Sequence, residues 1–321
     1  MNLDPAVREF LDANRINPRQ HLSVADQRRY LGLLIDLNFL RFGRPGPPVH
    51  AVDTIEIPVE GATVTALVYR PSAEPGLPAH LTLHGGGWWH GSPGDLVNDA
   101  VNRRRCVEAG VVVVALDYRL APEHTFPTGL NDVYAALCHL AEHADELGID
   151  PDNLSIGGSS AGGNLAAAAA RMARDLAGPR LVLQLLEVPV LDLTLDTARA
   201  TAHRIDGQEL SGDLTAAVGY YLADPGRARE AYVSPGLAGD LAGLPPALIL
   251  TGEYDPLSVE GERYAGALDA AGVPARLFCQ PGGMHVTSML TRTWAPAEVW
   301  HDLAVAALRN AHGRAPSELV G

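Results

Sequence analysis

The sequence predicts an α/β fold, a doubly wound and mostly parallel sheet with helices on both faces, on three observations. Short apolar runs alternate with helical stretches from residue 80 to the closing helix. Val111-Val112-Val113-Val114 is apolar without alternation, as a central strand covered on both faces must be. Gly157-Gly158-Ser159-Ser160-Ala161-Gly162-Gly163 joins a strand-like run to an alanine-rich helix through small residues that tolerate a strained turn.

Residues 1–45 predict two helices, the first around Val7, Phe10 and Leu11 and the second carrying Tyr30, Leu31, Leu34, Ile35 and the run 37–40. The second is too apolar to stand alone in water, and Pro45, Pro47 and Pro48 end it. Strands over 52–59 and 62–69, separated by Glu60-Gly61, predict a hairpin at a sheet edge. Next come a strand over 81–83, a helix over 96–108, a strand over 111–116, a helix over 129–147, a strand over 153–156, a helix over 164–176 and a strand over 181–187. A strand over 246–251, a helix over 261–271, a strand over 275–279 and a helix from Pro296 to residue 310 complete the alternation, with right-handed crossovers expected. The segment 191–244 breaks this rhythm, with helical patches such as 214–222 and no clear strand. It reads as an insertion above the sheet that forms a lid or cap with the N-terminal helices, two ordinary peripheral helices being the alternative. The expected division is 1–45 as the N-terminal part of the cap, 46–190 as the first part of the core, 191–244 as the cap insertion and 245–321 as the second part of the core.

Composition narrows the chemistry. A chain of 321 residues, 47% hydrophobic and 19% charged, has ample length for a buried core. A net charge of -14 argues against a nucleic-acid partner or an anionic membrane surface, both of which need a basic face. All 24 residues of the Lys+Arg count are arginine, so Schiff-base, phosphate-loop and serine-lysine chemistry are excluded. Cys106, Cys138 and Cys279 are far apart and odd in number, which suits buried thiols in a reducing compartment. No secretory signal is visible at the N-terminus, and no run of about 20 apolar residues spans a membrane. The expected localisation is cytoplasmic.

Gly158-x-Ser160-x-Gly162 has the form of a nucleophile elbow, in which a strand turns sharply into a helix and exposes a strained serine. In a chain with 33 glycines the five-residue pattern alone equally describes a Gly/Ser turn capping a helix. His84-Gly85-Gly86-Gly87-Trp88-Trp89 supplies context, because three glycines leaving a strand expose backbone N–H groups that can approach a substrate oxygen closely. A phosphate loop is the weak rival, since neither a lysine nor a Gly-x-Gly-x-x-Gly helix start accompanies it.

Taken with four further blocks in the same order, these motifs make nearly the whole chain resemble the hormone-sensitive-lipase-like carboxylesterases, bacterial family IV of the α/β-hydrolases. The blocks are HGGGWW (84–89), DYRLAPEHTFP (117–127), GSSAGG (158–163), Ser234-Pro235, LPPALILTGEYDPL (244–257) and Met284-His285. The resemblance implies an α/β-hydrolase fold, a mostly parallel eight-stranded sheet with a helical cap, and no metal or organic cofactor. It implies a triad in the order serine, acid, histidine. Ser160 is then the nucleophile and Asp255, just beyond the strand over 246–251, the acid, with Glu253 and Glu260 as neighbouring alternatives and a turn aspartate before proline as the bland reading. Of 12 histidines only His285, His301 and His312 follow the acid, and His285 alone precedes the closing helix. Gly85, Gly86 and Ala161 would supply the oxyanion hole, while Trp88 and Trp89 would serve as substrate-pocket wall or core. His84 would orient the glycine loop, and Arg119 would pair with Asp117 or Glu123 behind it.

The expected activity is serine carboxylester hydrolysis of a small, short-acyl ester through an acyl-enzyme. A lactone- or natural-product-specific hydrolase shares this fold and triad, and a non-hydrolytic receptor on the same fold is the reading from another class. Relatives of this kind often form homodimers, and the edge strand over 275–279 is the candidate surface. Three positions depart from the resemblance: Ser159 stands where an acidic residue or threonine is usual, Val259 where a second carboxylate is common, and Val286-Thr287 where Gly-Phe often follows the histidine.

Overall fold

The computed structural model describes residues 3–14, 22–201, 204–205, 208–209 and 214–313. Eight strands form one sheet in the spatial order β1-β2-β4-β3-β5-β6-β9-β10: β1 (Ala51–Val59), β2 (Ala62–Arg70), β3 (Leu77–Leu83), β4 (Val112–Asp117), β5 (Ile149–Ser159), β6 (Leu181–Glu187), β9 (Ala247–Gly252) and β10 (Ala275–Gln280). β1 pairs antiparallel with β2 and β2 with β4, and every other pairing in the sheet is parallel. The antiparallel pair closes through Glu60-Gly61, where Gly61 takes a φ of 70°. The expected α/β sheet is therefore present, with strands extended by a few residues beyond their apolar runs.

β4 shows why its apolar run does not alternate. Val112, Val114 and Leu116 join the large cluster on one face of the sheet, while Val113 and Ala115 join Tyr69, Cys106, Trp300 and Leu308 on the other. The helices α4 (Thr128–Glu142), α6 (Ala161–Asp175) and α9 (Ser258–Ala270) belong to the first face. On the second, α3 (Leu96–Ala109) packs against α10 (Pro296–Ala311). Ala166 to Ala170 of α6 are all buried, and their small side chains let the helix lie close to β5. The predicted helix over 129–147 is broken at His143 and resumes as α5 (Ala144–Leu147), which Gly148 ends in the left-handed conformation.

At the N-terminus, α1 (Pro5–Ala13) and α2 (Val24–Phe42) start on the caps Asp4 and Ser23. Val7, Phe10 and Phe42 pack on Met284, Met289, Leu290 and Trp294, so these helices rest against the segment that carries His285. Between β6 and β9 lie α7 (Asp196–Thr201), a ladder of β7 (Arg204–Ile205) with β8 (Gln208–Glu209), and α8 (Leu214–Tyr221). That ladder corrects the expectation of no strand in this segment, since two-residue strands are too short to leave a periodic signal. Residues 1–2, 15–21, 202–203, 206–207 and 210–213 of the expected cap segments lie outside the described residues. Cys106 is buried as expected, whereas Cys138 and Cys279 are only half-buried, and all three are unpaired. Among the described residues no helix is long and apolar enough to cross a membrane.

Candidate active site

Ser160 is the single residue between β5 and α6, held at φ 56° and ψ -115°. The two flanking glycines are required by sterics. A Cβ on Gly158 would lie 2.5 Å from the carbonyl carbon of Gly162, and one on Gly162 would lie 2.2 Å from the carbonyl oxygen of Leu83. The strained turn is tied down on both sides: Ser160 N–H donates to the Glu187 carbonyl at 2.8 Å, and its own carbonyl accepts from Asn164 N–H at 3.0 Å. Asn164, fully buried, also donates from Nδ2 to the carbonyls of Val190 and Val233, both at 2.9 Å.

Two loops at the carboxyl ends of β9 and β10 complete the group. His285 Nε2 lies 2.8 Å from Ser160 Oγ, and His285 Nδ1 lies 2.9 Å from Asp255 Oδ2. A carboxylate accepts only, so Nδ1 carries the proton and Nε2 is left to accept from the serine hydroxyl. Asp255 is 1% exposed and its Oδ1 accepts from Leu257 N–H at 3.0 Å, which fixes the carboxylate plane. Burial alone would lower the basicity of His285, but the Asp255 charge and hydrogen bond outweigh it and hold the imidazole above its ordinary pKa. The alternatives Glu253 and Glu260 are engaged elsewhere: Glu253 accepts from Gly282 N–H at 2.7 Å, and Glu260 Oε2 from the N–H groups of Leu191 and Asp192 at 2.8 and 3.0 Å.

The glycine loop leaves β3 directly beside the elbow. A Cβ on Gly85 would stand 3.1 Å from the Ser159 carbonyl and 3.5 Å from Ser160 Cβ. Gly86 takes a φ of 120°, and a Cβ there would fall 1.9 Å from the His90 carbonyl oxygen. Ala161 opens α6, where the first N–H groups of a helix have no intrahelical acceptor. His84 braces the loop: its Nδ1–H donates to the Gly85 carbonyl at 2.7 Å, its ring stacks on Tyr118 at 4.4 Å, and Tyr118 Oη donates to its carbonyl at 2.8 Å. Burial pushes the His84 pKa down to about 4, so the brace stays neutral.

Several expected partners are rearranged. Arg119 pairs with the fully buried Asp132, not with Asp117 or Glu123, because α4 lies across the loop and presents Asp132 to it. Glu123 pairs instead with Arg28 of α2, whose Nε and Nη2 also donate to the carbonyls of Trp89 and Ala121, each at 2.6 Å. Trp88 and Trp89 separate. Trp89 lines the cavity, while Trp88, at φ 62°, turns into the core, stacks on Tyr221 at 4.6 Å and donates from Nε1 to Asn164 Oδ1 at 3.3 Å. Nothing in the spacing of adjacent tryptophans signals that split.

Ser160, Asp255, His285, Gly85 and Gly86 all border one cavity of about 490 Å³. Phe10, Leu11 and Ile35 from the N-terminal helices and Leu214 and Ala217 from α8 form its apolar wall. Its lining also includes Asn102 and Arg105 of α3 and Glu187 at the end of β6. A second serine-histidine cluster, in which Ser155 Oγ lies 2.9 Å from both His80 Nδ1 and His312 Nε2, does not border this cavity. Ser155 is 1% exposed, and His312 Nδ1 reaches Asn153 Oδ1 at 2.7 Å, so this cluster ties the end of α10 to β5.

Comparison with known proteins agrees with the fold. The model of a family described as having the α/β-hydrolase fold matches residues 80–289. A carboxylic ester hydrolase, LipN of Mycobacterium tuberculosis, is 38% identical over 286 residues, covering 86% of this chain and 74% of that protein. An arylesterase of Saccharolobus solfataricus is 34% identical, covering 89% of this chain and 92% of its own. Among solved structures, a hyperthermophilic esterase from the archaeon Pyrobaculum calidifontis superposes with a TM-score of 0.89 at 36% identity, over 97% of this chain and 99% of that one. The chain belongs to the α/β-hydrolase family, in its hormone-sensitive-lipase-like carboxylesterase branch.

Proposed function

We propose that this protein is a serine carboxylesterase acting on small, short-acyl esters, with Ser160 as nucleophile, His285 as general base and acid, and Asp255 as the group that orients and stabilises the imidazole. The observation that carries this reading is the hydrogen-bond relay of 2.8 and 2.9 Å from Ser160 through His285 to Asp255. Nε2 takes the serine proton as Oγ attacks the ester carbonyl, and the N–H groups of Gly85, Gly86 and Ala161 receive the negative charge that develops on oxygen. The imidazolium then protonates the leaving alcohol, and water repeats the sequence on the acyl-enzyme. A mostly apolar cavity of about 490 Å³ suits a small ester better than a lipid surface.

Residues 1–45 and 191–244 act as the cap in this reading, supported by the apolar wall that α1, α2 and α8 give the cavity. The unpaired cysteines suit a cytoplasmic setting, which cell fractionation checks. The edge strand β10, with Leu277 exposed, is the surface offered for a homodimer, which sedimentation equilibrium checks.

The adjacent serines provide the test. A fluorophosphonate probe should label Ser160, and Ser160→Ala should lose about four orders of magnitude or more in kcat on a chromogenic acetate ester. Ser159→Ala should stay within about tenfold of the parent. Labelling at Ser159, or an active Ser160→Ala variant, would overturn the assignment.

A further inference from the structure

One buried part of the cavity lining is not apolar. Arg105 and Glu187, 2% and 4% exposed, meet there in a buried ion pair, and Glu187 Oε2 also accepts from Trp300 Nε1 at 2.8 Å. A short-acyl esterase needs no such pair, and buried ion pairs are poor contributors to stability because both ions are desolvated. The pair is also incompletely served. A guanidinium carries five donors. Among the described residues Arg105 uses one, Nη2 to Glu187 Oε1, and its buried Nε–H has no acceptor. Asn102, one turn earlier on α3, is 3% exposed and lines the same cavity. The pair is also adjacent to the reaction centre, since the Glu187 carbonyl holds the Ser160 N–H.

We propose that this buried polar part of the cavity is a subsite for a neutral hydrogen-bond acceptor, a ketone, ester or ether oxygen carried on the substrate away from the scissile ester, with Arg105 as its donor. The proposal rests on the ester-hydrolase reading only for the class of ligand. Charge decides between a neutral and an anionic acceptor. Arg105 is already balanced by Glu187, which is held ionised against its burial by the Arg105 charge and the Trp300 hydrogen bond. A substrate carboxylate would lose its hydration only to stand beside a second carboxylate. A carbonyl oxygen is cheap to desolvate and accepts from a charged donor, where hydrogen bonds are stronger than between neutral groups. Apolar walls around one polar end also fix orientation, so a substrate with an oxygen at one position is favoured over its plain alkyl equivalent.

Binding to the Ser160→Ala protein tests this without turnover. Calorimetry compares matched ligands: methyl 4-oxopentanoate with methyl pentanoate, methyl 5-oxohexanoate with methyl hexanoate, and 3-oxobutyl acetate with butyl acetate, the last pair placing the oxygen on the alcohol side. At least one oxo ligand should bind about tenfold or more tightly than its partner, and which pair responds tells whether the acyl or the alkoxy group enters the subsite. Adding Arg105→Met with Glu187→Met, so that no unpaired charge stays buried, should bring that ratio to about one. Because the ratio is taken within one protein, a general loss of affinity cancels. Ratios near one for all three pairs would overturn the subsite, and a tenfold ratio that survives the double replacement would overturn the role of Arg105. Failure of the wild-type protein to hydrolyse any ester would count against the proposed function, and leaves these binding ratios as readable as before.

Discussion

His285 Nδ1 lies 2.9 Å from an Asp255 carboxylate that is 1% exposed, so the imidazole is paired with a charge that water hardly screens. The pairing holds the His285 pKa above its ordinary value. In its proposed role as general base His285 must be neutral, so kcat/KM on a chromogenic short-chain ester should fall as pH drops through a midpoint above about 6.5. Asp255→Asn should lower kcat by about 10⁴ and move the acid limb down. A flat profile from pH 5 to 9 would refute His285 as base.

Gly86 is the glycine of the loop with least room. Its φ of 120° and the 1.9 Å that would separate a Cβ from the His90 carbonyl leave no space for Gly86→Ala without moving the loop. The replacement should reduce kcat by about 10²–10³, as for loss of an oxyanion donor, with KM less affected. Steady-state kinetics and a thermal melt separate this from simple unfolding.

Glu260 is a carboxyl whose burial pushes its pKa up to about 8, although two backbone N–H groups donate to its Oε2. Unfolded, it ionises near about 4.3, so between that value and 8 the folded state holds the extra proton and stability falls as pH rises, by at most about 1.4 kcal/mol per pH unit. Glu260→Gln keeps the acceptor and removes the titration. Urea unfolding at several pH values should show a flatter profile and a more stable protein at pH 7.5, whereas Glu260→Ala should cost about 1–3 kcal/mol through the two orphaned N–H groups.

Arg28 clasps α2 to the loops that follow β3 and β4 through the carbonyls of Trp89 and Ala121. Arg28→Ala should raise KM several-fold and destabilise the protein by about 1–2 kcal/mol. Arg28→Lys should not restore either value, because one ammonium cannot meet two carbonyls and Glu123 in a fixed plane. Kinetics and melting of the two variants check this.

The chain by itself determined whatever rests on local chemistry. The glycines at 158 and 162 are dictated by contacts of 2.5 and 2.2 Å that no side chain survives, and the apolar run at Val111 to Val114 by burial on both faces of one strand. Order along the sequence also carried the candidate residues, because Ser160, Asp255 and His285 each follow their own strand and parallel strands bring their carboxyl ends to one edge. Only the tertiary structure decided the pairings between elements. By sequence Arg119 was expected to pair with Asp117 or Glu123, and it took Asp132 instead; Arg28 met Glu123 across 95 residues, and Arg105 met Glu187 across 82. In sequence Arg105 is one of three consecutive arginines on a helix, and nothing local distinguishes it from its half-buried neighbours. Which of them points inward follows from how α3 lies on the sheet, and that orientation is set by long-range packing rather than by the residues beside it.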